Sequence, residues 1–124
     1  MSKTILIAED EPTLLNLLAK KLKALGFNVI KAGDGEDAIA KIKSQPVDLM
    51  LLDIIMPRKN GLQVLQELRV NMNNKTPVII LSNLEKGEDI QAGKSYGVYD
   101  YLIKSHISMR KLSNQVTKAL GRTA

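Results

Sequence analysis

A run of four apolar residues, Leu49 to Leu52, leads directly into a carboxylate, Asp53, and this junction constrains the fold most. A short apolar run bounded by turn residues is typical of a strand buried on both faces. Pro57 and Gly61 follow the acid and supply the turn signals. Because an unpaired ionised carboxylate is costly to bury, we expect Asp53 at the carboxyl end of this strand, where open α/β sheets place their ligand crevices.

Short apolar segments and helix-like segments alternate five times along the 124 residues. The segments that predict strands are residues 4–8, 28–32, 49–53, 77–81 and 98–103. Such alternation favours an α/β fold in which helices cover both faces of a parallel sheet. Right-handed crossovers leave few topologies, so we predict a doubly wound five-stranded parallel sheet in the order 2-1-3-4-5, within a single domain, residues 1–124.

Helices are predicted between these strands. The first begins at Pro12, stops at Gly26 and buries one apolar face, formed by Leu14, Leu18, Leu22 and Leu25. Asp34 is a predicted cap for the second helix. The fourth, residues 85–93, carries two glycines and few apolar residues, so we expect it to be short and mobile.

The charge of the chain is positive, with a formal net charge of +5. Much of it lies late in the first two predicted helices, where cations oppose the negative end of the helix dipole: Lys20, Lys21, Lys23, Lys41 and Lys43. We interpret these residues as a solvated face, with binding to nucleic acid or an anionic surface as the alternative. Arg58 and Lys59 follow Asp53, where they are either solvated or attract a phosphorylated partner.

Other classes of protein are disfavoured by simple features. The absence of cysteine excludes disulfides and thiolate metal sites. The apolar run near the amino end is too short for a signal peptide, and no run approaches the length of a membrane span.

Four of the five predicted strands end in a polar or charged group. These groups are Glu9 and Asp10, Asp53, Ser82 and Lys104. Each alone could be a helix cap, but the carboxyl ends of parallel strands share one edge, so together they predict a site. Clustered carboxylates suit Mg²⁺, which prefers hard oxygen ligands. An ionised aspartate there can attack phosphorus, while the metal and a lysine neutralise the phosphoryl oxygens.

The motifs around these groups resemble those of a known family. They are Ile5 to Pro12, Asp53-x-x-Met56-Pro57-x-x-x-Gly61, Ser82 after the fourth strand, and Tyr101 to Lys104. Over essentially all of its length the chain resembles the response-regulator receiver domains, the CheY-like phospho-acceptors of two-component signalling. The resemblance implies a flavodoxin-like (CheY-like) fold and a signalling phospho-acceptor rather than an enzyme in the usual sense.

The resemblance also implies roles for individual residues. Asp53 is the phosphorylation site, and Asp10 and Asp53 ligate Mg²⁺ directly. Glu9 contributes through water, and the backbone carbonyl of Ile55 completes the protein ligands. Lys104 assists catalysis. Ile55 and Leu84 occupy the two positions that, in the family, influence how water reaches the phosphoryl group. Because both are apolar here, we expect slow self-dephosphorylation.

The implied output is a switch. Ser82 and Tyr101 form the switch pair, which remodels the face made by the fourth helix, fifth strand and fifth helix. Phosphate would come from a sensor histidine kinase, a phosphotransfer protein or a small phosphodonor. The remodelled face would bind a downstream protein or a second copy of the chain. A cytoplasmic location, without direct contact to nucleic acid or membrane, is expected.

Three departures from the family pattern stand out. Glu9 lies where the family often has Asp, and Ser82 where Thr is commoner. Ser105 follows Lys104 where the family usually has a cis proline, so either the Lys104–Ser105 bond is trans and the loop shifts, or it is a cis bond at a cost of roughly 2.5–4 kcal/mol.

The alternative function is a phosphorylation-independent interaction module that uses the same fold and its basic surface.

Overall fold

The computed structural model describes residues 2–82, 87–104 and 108–121. Within them five parallel strands form one sheet. The strands are β1 (Thr4–Ala8), β2 (Asn28–Ala32), β3 (Leu49–Asp53), β4 (Val78–Ser82) and β5 (Asp100–Ile103). Their order is β2-β1-β3-β4-β5, with every neighbouring pair parallel, which confirms the predicted topology and places β2 at an edge.

Helices follow the strands in alternation. They are α1 (Pro12–Ala24), α2 (Gly35–Ser44), α3 (Gly61–Gln66), α4 (Gly87–Ser95) and α5 (Met109–Ala119). Asp34 caps α2 as predicted, since its side chain accepts a hydrogen bond from the backbone N–H of Asp37 at 2.8 Å. In the described part of the chain, no helix is long and apolar enough to cross a membrane.

Side chains of successive strand residues enter two separate apolar clusters, one on each face of the sheet. In β3, Leu49 and Leu51 pack with Leu22 of α1 and Val116 of α5, while intervening residues pack on the opposite face against α2 and α3. This two-residue alternation, with both faces covered, explains why the strand is an unbroken apolar run.

One prediction about a helix face is wrong. The sequence pattern predicts Leu25 on the buried face of the first helix, but Leu25 lies beyond α1 and is 44% exposed because the helix ends at Ala24. Gly93 makes a close approach that the sequence does not indicate. A Cβ atom at Gly93 would lie 2.7 Å from Cδ1 of Ile80, so the glycine allows α4 to approach β4 closely.

The third helix does not continue as a regular α-helix. After Gln66 it changes to a π-helical turn, Glu67–Asn71, in which the Met72 N–H donates to the Glu67 carbonyl at 2.9 Å. The guanidinium of Arg69 leaves this turn and donates to the carbonyls of Tyr96 and Asn74 at 2.8 and 3.0 Å. Arg69 therefore ties the end of the third helical segment to the loop after α4.

Candidate functional site

The strand register brings the predicted site residues to one edge of the sheet. Ala8 pairs with Leu52, so Glu9 emerges beside Asp53. On the other side of β3, Ser82 pairs with Ile103, which places Lys104 one residue beyond the end of β5. Polar residues thus lie at or just beyond the carboxyl ends of four strands, at the same edge of the sheet, as the apolar pattern predicted.

Three carboxylates converge there. One oxygen atom from each of Glu9, Asp10 and Asp53 lies within 4.8 Å of the others. Glu9 and Asp53 are almost fully buried, at 1% and 5% exposure, whereas Asp10 is exposed. The Oε2 atom of Glu9 accepts a hydrogen bond from the Glu11 N–H at 3.1 Å, which orients its carboxylate.

Lys104 supplies a positive charge to this cluster. Its Nζ atom forms an ion pair with Oε1 of Glu9 and donates to Oδ2 of Asp53 at 3.1 Å. The lysine side chain is only 15% exposed, so water screens these contacts less than it would a surface pair. The chain therefore joins groups that are 51 residues apart through a partly buried charge network.

Burial controls the proton affinities of the site. It raises the pKa of Asp53, against the opposing charge and hydrogen bond of Lys104. Burial likewise raises the pKa of Glu9, Lys104 opposes the rise, and repulsion from Asp53 adds to it. For Lys104, burial favours the neutral amine, but contacts with both carboxylates outweigh it and the pKa is raised.

The donor set fits a divalent cation. Three carboxylates face one ammonium group, so the ionised cluster carries an excess of two negative charges. All the donors are hard oxygen atoms, which Mg²⁺ prefers, and the exposed Asp10 leaves one side open to solvent. Exposed acids often cluster without a metal, but here two of the three are buried, where uncompensated charge is costly.

The loop between β3 and α3 closes tightly over the end of β3. The Ile55 N–H donates to Oδ1 of Asp53 at 3.3 Å, and the Gly61 N–H donates to the Ile54 carbonyl at 2.7 Å. A Cβ atom at Gly61 would lie 2.8 Å from the Cα atom of Ile54, so a glycine is required at this approach. Ile55 itself is 60% exposed.

The proposed switch residues are described less completely. Ser82 is the last residue of β4, at the site edge, but its side chain lies outside the described part of the structure. Tyr101 in β5 is half-buried and packs against the apolar cluster beneath α2 and α3. Leu84 and Ser105, and with Ser105 the geometry of the Lys104–Ser105 bond, also lie outside the described residues.

The cations of the β3–α3 loop are engaged within the chain. Arg58 Nη1 donates to Oδ2 of Asp34 at 2.7 Å, and Lys59 Nζ donates to Oε1 of Glu67 at 2.7 Å. Sequence reasoning treated both as solvated or available to a phosphorylated partner. It missed these pairs because the partners lie 24 and 8 residues away and share no periodic pattern with them.

Comparison with known proteins identifies the family of the chain. A family model described as the response regulator receiver domain matches residues 5–117. The transcriptional regulatory protein CpxR of Klebsiella pneumoniae is 44% identical over 119 residues, which cover 96% of this chain and 50% of that protein. The response regulator GtcR of Aneurinibacillus migulanus is 42% identical over 104 residues, covering 84% of this chain and 42% of that protein.

Solved structures agree with the fold. The receiver domain of the Francisella response regulator 1452 superposes with a TM-score of 0.90 at 32% identity and covers 99% of this chain and 100% of that one. The chain therefore covers all of that solved receiver domain but half or less of the length of these two curated relatives. With the family model matching most of its length, the chain belongs to the receiver domains of response regulators.

Proposed function

We propose that the chain accepts a phosphoryl group on Asp53 in the presence of Mg²⁺ and thereby switches a protein-binding surface. The convergence of Asp53 with Glu9, Asp10 and Lys104 at one edge of the sheet carries the proposal. Membership of the receiver family supports it. The phosphoryl donor would be a histidine kinase, a phosphotransfer protein or a small acyl phosphate.

The proposed Mg²⁺ ligands are the carboxylates of Asp10 and Asp53 and the backbone carbonyl of Ile55, with Glu9 acting through water. When bound, the metal would neutralise the cluster and withdraw charge from the oxygens of the transferring phosphoryl group. The position of Ile55 next to the Asp53 carboxylate, shown by the Ile55 N–H bond to Oδ1, is compatible with this ligand set.

The transfer step requires little from the protein beyond position and charge. A carboxylate oxygen of Asp53 forms a bond to phosphorus while the bond from phosphorus to the leaving nitrogen or oxygen of the donor breaks. The leaving group keeps the electron pair and is protonated from solvent. Lys104, already within hydrogen-bond distance of Asp53, would pair with a phosphoryl oxygen and neutralise part of the negative charge on the phosphoryl group.

The proposed output surface comprises α4, β5 and α5. Ser82 would bond the phosphoryl group and Tyr101 would change its packing behind it, so that this surface differs between the two states. A cavity of about 330 Å³ lies on the surface, lined in part by Lys94, Tyr99 and Ile103. The downstream protein or second copy would dock there; an output domain elsewhere in a longer polypeptide is a further candidate.

Mg²⁺-dependent phosphate uptake tests the proposed function. Intact mass spectrometry after incubation with acetyl phosphate and Mg²⁺ should show one added phosphate, because the metal neutralises the three-carboxylate cluster. The same incubation with EDTA should leave the mass unchanged. No uptake in Mg²⁺ would contradict the proposal and favour the phosphorylation-independent interaction module.

Replacing Ile55 is expected to shorten the lifetime of the phosphorylated protein. Ile55 is 60% exposed beside Asp53, and its apolar side chain cannot orient an attacking water molecule. Ile55→Glu should raise the rate of phosphate loss by about tenfold, because a carboxylate there can accept a proton from water. The rate is measured from the decay of the phosphorylated mass, with Ile55→Val as the apolar control; equal lifetimes would disprove this role.

A further inference from the structure

The loop between β3 and α3 is packed against the amino end of α2. A Cβ atom at Gly35, the first residue of α2, would lie 2.7 Å from the carbonyl carbon and 2.7 Å from the Cβ atom of Lys59. Real Cβ atoms do not approach other carbon atoms this closely. Because the obstructing atoms are mainly backbone, a larger residue at position 35 would have to displace the loop or the helix.

An ion pair joins the same two elements. Asp34 uses Oδ1 to cap α2, and its Oδ2 accepts a hydrogen bond from Arg58 Nη1 at 2.7 Å. Arg58 has a φ of 66°, a left-handed conformation that non-glycine residues rarely adopt. The pair and the packing at Gly35 together explain how the loop retains this turn.

The loop, residues 54–60, is therefore held at two places near its α3 end. The Gly61 N–H donates to the Ile54 carbonyl, which joins the two ends of the loop, and Gly61 packs against the backbone of β3. Two residues earlier, the Lys59 backbone rests on Gly35. Ile55, whose carbonyl is a proposed metal ligand, lies in the segment between the end of β3 and these supports.

We propose that Gly35 and the Asp34–Arg58 pair are positioning residues, which hold the β3–α3 loop in the conformation that binds Mg²⁺. The inference rests on the proposed function, because it concerns the metal ligands of that site. Mg²⁺ demands near-ideal octahedral geometry, so a small displacement of one carbonyl ligand weakens binding. Residues that orient metal ligands without touching the metal typically change affinity by about 10- to 100-fold.

Gly33 offers a matched control for Gly35. It precedes α2 by two residues, its φ is not left-handed, and a Cβ atom there would meet nothing within 4 Å. We expect Gly35→Ala to weaken Mg²⁺ binding by about tenfold, measured by calorimetric titration with Mg²⁺ alone. Gly33→Ala should bind as the parent does.

Two milder substitutions test the ion pair without loss of the helix cap. Asp34→Asn retains a good capping side chain but removes the charge, and Arg58→Gln removes the other partner. Because this pair is largely exposed at Arg58, each should weaken Mg²⁺ binding by about two- to fivefold. Thermal unfolding in EDTA and the backbone amide shifts of Ile55 and Lys59 report whether the change is local.

The outcomes separate the two proposals. If the parent binds Mg²⁺ and takes up phosphate while Gly35→Ala and Gly33→Ala bind Mg²⁺ equally, the positioning role is wrong and the proposed function stands. Should Gly35→Ala fail to fold, unchanged Mg²⁺ affinity in both Asp34→Asn and Arg58→Gln overturns the positioning role. If the parent itself binds no Mg²⁺, the proposed function fails and the positioning role fails with it.

Discussion

Asp53→Asn is expected to take up no phosphoryl group from acetyl phosphate in Mg²⁺. The amide has nearly the shape of the carboxylate but is a poor nucleophile, so the bond to phosphorus does not form. The fold should survive, because the substitution removes one of two buried carboxylates while Lys104 keeps its ion pair with Glu9. We expect the variant to unfold in EDTA at a temperature no lower than that of the parent.

The matched control is Asp100→Asn, which makes the same change at the first residue of β5. Asp100 lies at the amino ends of the parallel strands, whereas Asp53 lies at their carboxyl ends. Intact mass spectrometry of parent, Asp53→Asn and Asp100→Asn, under one set of conditions, measures the effect. Only Asp53→Asn should lose uptake. Phosphate addition to Asp53→Asn at the parental level would place the acceptor elsewhere and remove the main support for the proposed function.

Lys104→Met is expected to damage stability and phosphate uptake together. Without the ammonium group, Glu9 and Asp53 are left as neighbouring buried carboxylates, at 1% and 5% exposure. Breaking a buried ion pair in this way costs about 3 kcal/mol of the free energy of unfolding in the absence of metal. Uptake should slow by about 10²-fold, because a charge that stabilises the transferring phosphoryl group is lost.

Mg²⁺ should restore part of the lost stability, since a divalent cation supplies the missing positive charge. Denaturant unfolding in EDTA and in Mg²⁺ measures the loss of stability and its recovery, and initial rates of phosphate addition measure the slower uptake. Lys23→Met, at an exposed position in the last turn of α1, is the control and should change neither the stability nor the uptake rate. If Lys104→Met behaved like Lys23→Met, the lysine would not be part of the site.

Much of this arrangement follows from sequence periodicity. Buried parallel strands are short apolar runs, and their carboxyl ends share an edge, so Glu9, Asp53 and Lys104 could be brought together before any coordinates were known. How close their atoms come depends on the register between neighbouring strands. The apolar pattern excludes a slip of one residue, which would move each side chain to the other face, but it does not exclude a slip of two. The ion pairs of Lys104 with both carboxylates could not be derived from the sequence, because side-chain reach across strands leaves no periodic signal.

The parts that sequence reasoning missed are contacts between loops and helix ends. The proposed role of Gly35 depends on the backbone of Lys59, 24 residues further on. The π-helical turn at Glu67–Asn71 has no compositional signature. Such contacts depend on the relative position of two segments of the chain, which cannot be predicted from the sequence of either segment alone.

Peptide mapping after reduction identifies the residue that becomes phosphorylated. The protein is treated with Mg²⁺ and acetyl phosphate, the acyl phosphate is reduced with borohydride, and the peptides are mapped by mass spectrometry. Reduction converts a phosphorylated aspartate to homoserine, so we expect homoserine at position 53 and at no other acidic position. Homoserine elsewhere, with Asp53 unchanged, would show that Asp53 is not the phosphoryl acceptor.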